Sequence, residues 1–333
     1  MKLLAHLFLF IFMLAPLTTA RQATGGNMAG LDRSKKDNAK GEVSLKYLGC
    51  AGWEITDGRT VILVDPYLSR IRHALYEPPA PPGDSRRVFT DDDDITPDVA
   101  AIDARITRAD YILVHHSHFD HVMDVPYIAR KTGAVVVGHE SVTNVMRAYG
   151  FPDNKLITVR GGEDYEFGTF SLRVVPSLHS ALNNKHYFDP GVIPRDAKTP
   201  LKFRDLIEGG SLAYMVRLGG HRILTFGSMN YIEREMEGLR PDVALVGASR
   251  GRLQIHDYTG RLMRALGFPR LVIPTHWDNF FIPYEASQEP WIQHVKVFAE
   301  EVKRASPKTE VLIPKYFEAI RIGAARRNER GKP

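Results

Sequence analysis

The stretch His115-His116-Ser117-His118-Phe119-Asp120-His121, HHSHFDH, places four imidazoles and a carboxylate within seven consecutive residues. The residues just before it, ADYILV, carry the apolar signature of a buried strand, and a helix is expected from Val125. The cluster therefore falls in the loop leaving the carboxyl end of a strand, a usual location for chemistry in sheets joined by helices. Residues i and i+2 of an extended segment point the same way, so His116 and His118 face one centre. As the chain turns, Asp120 and His121 are free to face a neighbouring one.

Two imidazoles do not complete a metal site. Zinc takes N, S or O donors in tetrahedral array, and a catalytic zinc keeps one position for water. Further donors are expected at other strand ends, and the chain has them: His179 follows LRVVPSL and His276 follows RLVIPT.

Strand-like runs recur along the rest of the chain: VSLKYLG, TVILVDP, AVVVGHE, KLITVRG and FSLRVVPS in the first half, then SLAYMVRL, HRILTFGS, DVALVGAS and EVLIPK. Helices are expected at Val125 to Lys131, Ser141 to Tyr149, Tyr231 to Gly238, Asp257 to Leu266 and Trp291 to Arg304. Two strand-rich halves, each with helices, suggest stacked sheets covered on their outer faces. Two loop-rich excursions interrupt the pattern, one from Leu68 to about Arg108, with its acidic run Asp91 to Asp94, and one from Ala181 to Gly210.

The set His116-x-His118-x-Asp120-His121, His179 and His276 resembles the metal-binding motifs of the metallo-β-lactamase fold superfamily. The resemblance covers most of residues 43–320. It implies an α/β four-layer αββα sandwich of two mixed sheets with helices outside, with His116, His118 and His179 holding one zinc and Asp120, His121 and His276 a second. VVPSLHS, VIPTHWDNF and YLGCAGWEITDGRTVILVDPYLS are similar to the branch holding L-ascorbate-6-phosphate lactonase and N-acyl-phosphatidylethanolamine phospholipase D. By that likeness Asp65 sits behind the metal loop and orients a ligand, unless it is only an Asp-Pro turn.

Most hydrolytic members of that branch carry a metal-bridging Asp where HRILTFGS ends in Ser228. A neutral hydroxyl bridges metals poorly, so one tight zinc and a second, weaker one are expected. The alternative reading of Ser228 is a structural turn residue. The activity implied is a zinc-dependent hydrolase using metal-bound hydroxide on an ester, lactone, amide or phosphodiester, with Asp120 orienting the nucleophile or taking its proton. Two alternatives are β-lactam hydrolysis, since a subclass of β-lactamases also has Ser at this point, and a non-catalytic metal-binding protein of the same fold.

The excursion after His179 offers Lys185, His186, Tyr187, Phe188, Arg195, Lys198, Lys202 and Arg204 as a cover that presents cations to an anionic substrate, or as an ordinary exposed loop. His256 is a weaker candidate for a substrate contact. Cys50 is the single cysteine, so no internal disulfide forms, and with no His or acid beside it in sequence it reads as a small buried residue at a strand end, with metal ligand or nucleophile as the lesser alternative.

Residues 1–20 combine Lys2, an apolar run from Leu3 to Leu14, Pro16 and a Thr-Thr-Ala ending, the order of a cleaved export signal. The run is short for the roughly 20 residues of a membrane anchor. A flexible tether is expected at 21–40, the hydrolase domain at 41–325 and a polar tail at 326–333. Location is thus expected to be periplasmic or secreted. Loss of Lys2 lowers the formal charge from +5 to +4. Without a clustered basic stripe, that charge argues against nucleic acid as a partner and leaves a small-molecule or lipid-like substrate, with no oligomeric state implied.

Overall fold

The computed structural model describes residues 41–74, 80–182 and 184–323, so the expected signal, tether and tail lie outside the described residues. The first half contributes β1 (Val43–Gly49), β2 (Gly52–Thr56), β3 (Val61–Val64), a separate strand pair β4 (Arg72–His73) and β5 (Val88–Phe89), and α1 (Val99–Asp103). There follow β6 (Tyr111–Val114), α2 (Phe119–Val122), α3 (Val125–Thr132), β7 (Val135–Gly138), α4 (Glu140–Ala148) and β8 (Leu156–Thr158). The second half runs β9 (Asp164–Glu166), β10 (Phe170–Pro176), β11 (Leu212–Leu218), β12 (His221–Phe226), α5 (Glu233–Met236), β13 (Val243–Gly247) and α6 (Tyr258–Ala265). It closes with β14 (Leu271–Thr275), α7 (Glu289–Ala305), β15 (Glu310–Val311) and β16 (Ala319–Ile322).

These strands form two seven-stranded mixed sheets, ordered β16-β1-β2-β3-β6-β7-β8 and β15-β14-β13-β12-β11-β10-β9. Each sheet is antiparallel on one side and parallel on the other: β3, β6, β7 and β8 run parallel in the first, and β12, β13, β14 and β15 in the second. Strand β16 closes the first sheet by pairing antiparallel with β1, Val43 opposite Ile322.

Side-chain alternation explains the layering. Ile62, Val64, Leu113 and Val137 point into the core shared with Leu172, Val174, Tyr214 and Val216 of the other sheet. Their neighbours Leu63, Ile112, Val114 and Val136 point outward and are covered by Ile128 of α3 and Val142 and Met146 of α4. The parallel strands are thus apolar on both faces, as strands between two layers must be. On the far side α7 buries Val295, Phe298 and Val302, spaced three and four apart, with Pro290 at its start and Lys303 and Arg304 in its last turn. The result is an αββα sandwich.

Three expectations need correcting. The helix placed at Tyr231 to Gly238 is only Glu233–Met236. The excursion from Leu68 carries α1 and the β4–β5 pair. The histidine loop is not irregular up to Val125, because a helical turn begins at Phe119. The sheets approach closely beside that loop: a Cβ on Gly227 would stand 2.3 Å from the His115 Cβ, so only glycine fits there.

Candidate metal centre

Strand β6 ends at Val114, and the next residues divide their side chains between two clusters. His116 and His118 leave the strand extended, His118 with ψ 155°, and meet His179 from the end of β10. The three rings are nearly perpendicular to one another, with centroids 4.7–4.8 Å apart. His116 Nε2 and His118 Nδ1 lie 3.1 Å apart. Two nitrogens about 2.0–2.1 Å from one tetrahedral zinc stand about 3.3 Å apart, so this spacing fits a shared ion. The outer nitrogens are partly fixed: His118 Nε2 is 3.2 Å from the Phe188 carbonyl and His179 Nδ1 is 2.9 Å from the Ser180 carbonyl.

The turn at Phe119–Val122 swings Asp120 and His121 toward a second cluster, which His276 joins from the end of β14. Asp120 Oδ2 lies 3.3 Å from His276 Nε2 and 3.5 Å from His121 Nε2. A fourth donor is present that sequence reading had set aside: Cys50 Sγ, buried, is 3.3 Å from Asp120 Oδ2 and 3.7 Å from His276 Nε2. Four donors of three types suited to zinc thus share one small volume, and His121 Nε2 is buried there without a hydrogen-bond partner. An orphaned, buried imidazole nitrogen facing a carboxylate and a thiol suits a cation between them.

Asp65, buried at the end of β3, lies directly behind. Its Oδ1 accepts from the His115 backbone N–H at 2.9 Å, and its Oδ2 is 2.6 Å from both His115 Nδ1 and His121 Nδ1. Hydrogen bonding therefore accounts for the Asp65–His115–His121 group, and it turns the His121 Nε2 lone pair toward the second cluster. Burial would raise the Asp65 carboxyl, but the two imidazoles hold it down to about 2. Burial likewise opposes ionisation of Asp120, yet His121 and His276 hold it well below the usual carboxylate range. The first cluster behaves differently: burial pushes His118 down to about 4 and His179 down to about 3, and lowers His116 strongly, so all three are neutral donors at pH 7.

The Cys50 turn is built rather than incidental. Its carbonyl accepts from the His276 N–H at 2.6 Å, Tyr47 Oη at 2.9 Å and Thr275 Oγ1 at 3.2 Å, and its own N–H donates to Asp278 Oδ1 at 2.9 Å. Asp278 also receives Tyr47, Tyr316 and the fully buried Arg70 guanidinium at 2.7–2.8 Å. Cys50, Asp65 and His276 all have positive φ, at 52°, 39° and 50°, a strained backbone for such residues and one that gathers at functional sites. Sequence reading also missed Arg70 and Asp278, which have no spacing signal. Cys50 did have one, since it follows a strand-like run just as His179 and His276 do.

The other candidates separate. Ser228 is buried beside the site, but its hydroxyl accepts from the Ser180 N–H at 2.9 Å and thereby holds the turn after His179. His256 is exposed and off the pocket, because a short helical turn at Arg250–Gln254 carries the chain away before it. His186 is exposed as well. The expected cationic cover is corrected too: Arg195 pairs with Asp153, Lys202 with Asp94, and Arg204 with Asp92, so these cations bind the chain's own acidic residues. What the excursion brings to the site is apolar, Leu182 and Phe188.

Both clusters open into one pocket of about 460 Å³, lined by His118, Asp120, His179 and His276 and walled by Phe188, Met229, Trp277, Phe280, Phe281 and Trp291. Residues 44–276, which span every donor of both clusters and Asp65 behind them, match the Beta-lactamase superfamily domain. The chain belongs to the metallo-β-lactamase superfamily. A UPF0173 metal-dependent hydrolase of Anaeromyxobacter dehalogenans is 27% identical over 247 residues, covering 73% of this chain and 77% of the relative. Another from Symbiobacterium thermophilum is 25% identical over 279 residues, covering 81% and 96%. The fold is also that of Igni18, a metallo hydrolase of Ignicoccus hospitalis, with a TM-score of 0.52 at 17% identity over 84% of this chain and 98% of that one. Within the superfamily the chain is a hydrolase.

Proposed function

We propose that this superfamily member is an exported, zinc-dependent hydrolase that cleaves an ester, lactone, amide or phosphodiester whose adjoining group is apolar. The observation that carries this reading is the joining of two metal-competent clusters to a single, largely apolar pocket. Zinc is favoured by the donor set, imidazole with carboxylate and thiol, which suits a borderline-soft ion better than calcium or magnesium.

When bound, the metals supply a water whose pKa falls from 15.7 toward about 7 and a Lewis acid for the attacked oxygen. The protein does the rest. His118 and His179 on one side and Asp120 and His276 on the other line the pocket, so a bond seated there meets donors of both clusters. Asp120 is held ionised at pH 7 and borders the pocket, which suits it to orient the attacking oxygen by accepting its hydrogen bond. The imidazoles that keep it ionised make it a weak base that would relay a proton rather than retain it. Trp277, Phe280 and Trp291 exclude water from the leaving group's surroundings. Arg250, exposed at the rim, is the cation placed to meet a carboxylate or phosphate on the substrate, which leaves room for an anionic group but not a polyanion.

The test is a panel of aryl and acyl esters, lactones, amides and phosphodiesters assayed with and without a chelator. Chelator-sensitive turnover that improves with apolar substituents supports the reading. Nitrocefin turnover as the sole activity would favour β-lactam hydrolysis instead, and inactivity of the zinc-loaded protein on every compound would favour a binding role. N-terminal sequencing of the protein recovered outside the cytoplasm should start near Arg21, and an intact Met1 on it would contradict export by cleavage.

A further inference from the structure

We propose that the Cys50 thiolate is a ligand of the second metal, completing a four-donor Cys50–Asp120–His121–His276 site that is the tighter and more thiophilic of the two. This rests on reading the clusters as a metal centre. It reverses the order of affinity expected from Ser228 alone.

The spacing supports it. A sulfur about 2.3 Å and an oxygen about 2.0–2.2 Å from one tetrahedral zinc stand roughly 3.5–3.7 Å apart, and a nitrogen and an oxygen about 3.3–3.5 Å. Cys50 Sγ lies 3.3 Å from Asp120 Oδ2, and the two imidazole nitrogens lie 3.3 and 3.5 Å from the same oxygen. The independent sign of a missing partner is His121 Nε2, buried and unbonded and aimed into this volume by Asp65. The cysteine is also held in place from behind, by three donors to its carbonyl and by Asp278 on its N–H. Without a cation the thiol keeps its proton and donates it to Asp120. As the metal–sulfur bond forms, that proton leaves to solvent.

Charge then ranks the sites. Three neutral imidazoles leave a dication uncompensated, whereas a thiolate and a carboxylate neutralise it. The anion that Ser228 does not supply is thus supplied from the other sheet. Donor count divides the roles: four protein donors make a closed site, and three leave a position open for water.

Chelator-stripped protein reloaded with cobalt(II) provides a readout separate from activity. The wild type should bind two cobalt ions and show a thiolate-to-cobalt charge-transfer band in the near ultraviolet. Cys50→Ser should lose the band and more than about 100-fold in affinity for one of the two ions, beyond the 10–100-fold cost of losing an outer hydrogen-bonding partner. Cys50→Asp should lose the band yet keep two ions, which separates loss of a ligand from loss of the fold. Two bound cobalt ions without a thiolate band, or unchanged affinity for both in Cys50→Ser, would overturn the proposal while leaving the metal centre intact. Failure to bind any cobalt would overturn both.

Discussion

The two donor clusters share one loop and one pocket yet are built on opposite principles. His116, His118 and His179 are three buried imidazoles with no anion among them, and burial keeps them neutral. Cys50, Asp120, His121 and His276 combine a carboxylate with a thiol, and a buried aspartate, Asp65, stands behind. The difference teaches that donor type, not proximity alone, sets what each cluster does. On the proposed reading, the neutral three-donor cluster would leave a position open for water, and the anionic four-donor one would hold its metal more firmly.

Removing a donor from the open cluster should have the largest effect. His116→Ala or His179→Ala should abolish turnover and reduce metal content by one ion, with the other cluster still loaded, as elemental analysis beside a steady-state assay would register. Full-rate turnover by His116→Ala would break the comparison outright. Asp120→Asn keeps the size but loses the charge, and a rate loss of about 10²–10⁴ is expected, with the three-imidazole site still occupied. Undiminished turnover would remove Asp120 from the chemistry.

Smaller effects sharpen the contrast. Asp65→Asn should cost the anionic cluster about 10–100-fold in metal affinity and leave the imidazole cluster almost untouched, because Asp65 bonds His121 and not His116 or His118. Competition with a fluorescent chelator would resolve the two sites, and equal losses at both would contradict their separation.

Acid sensitivity of the metal-free protein separates the clusters in another way. His118 and His179 titrate in the fold at about 4 and 3, below the ordinary 6.5, so between those values the unfolded chain binds more protons. Their contribution is full above pH 6.5 and is lost as pH falls toward 4, by up to roughly 1.4 kcal/mol per unit and per group. Asp65, held at about 2, loses its contribution only as pH falls below about 3.8. His121 has the opposite sign: burial notwithstanding, the Asp65 and Asp120 carboxylates raise it, so its contribution is present at low pH and lost as pH rises through its folded value. Denaturant unfolding of chelator-treated protein between pH 7.5 and 4.5 should therefore show stability decreasing as the pH is lowered, and His179→Ala should flatten the slope. An unchanged slope in that variant would refute the assignment.

Much of this was legible in the sequence. The two sheets were readable because apolar runs such as YILV and VVVG sit between layers and cannot hide their pattern. The imidazole donors were readable because each closes such a run. The Cys50 contact was missed although Cys50 also closes such a run, because the residues beside it in space, Asp120 and His276, are 70 and 226 positions away along the chain and none beside it in sequence marks it as a donor. The cationic cover failed for a related reason: a lysine or arginine in a loop does not reveal whether it faces a ligand or, like Lys202 and Arg204, the aspartates of another excursion.

The most direct measurement is a crystal of the zinc-loaded protein with diffraction recorded on both sides of the zinc absorption edge. Two anomalous peaks are expected, one among His116, His118 and His179 and the other within bonding distance of Cys50, Asp120, His121 and His276. A single peak, or two peaks with the Cys50 sulfur outside bonding distance, would contradict the division of the site into an open neutral half and a closed anionic one.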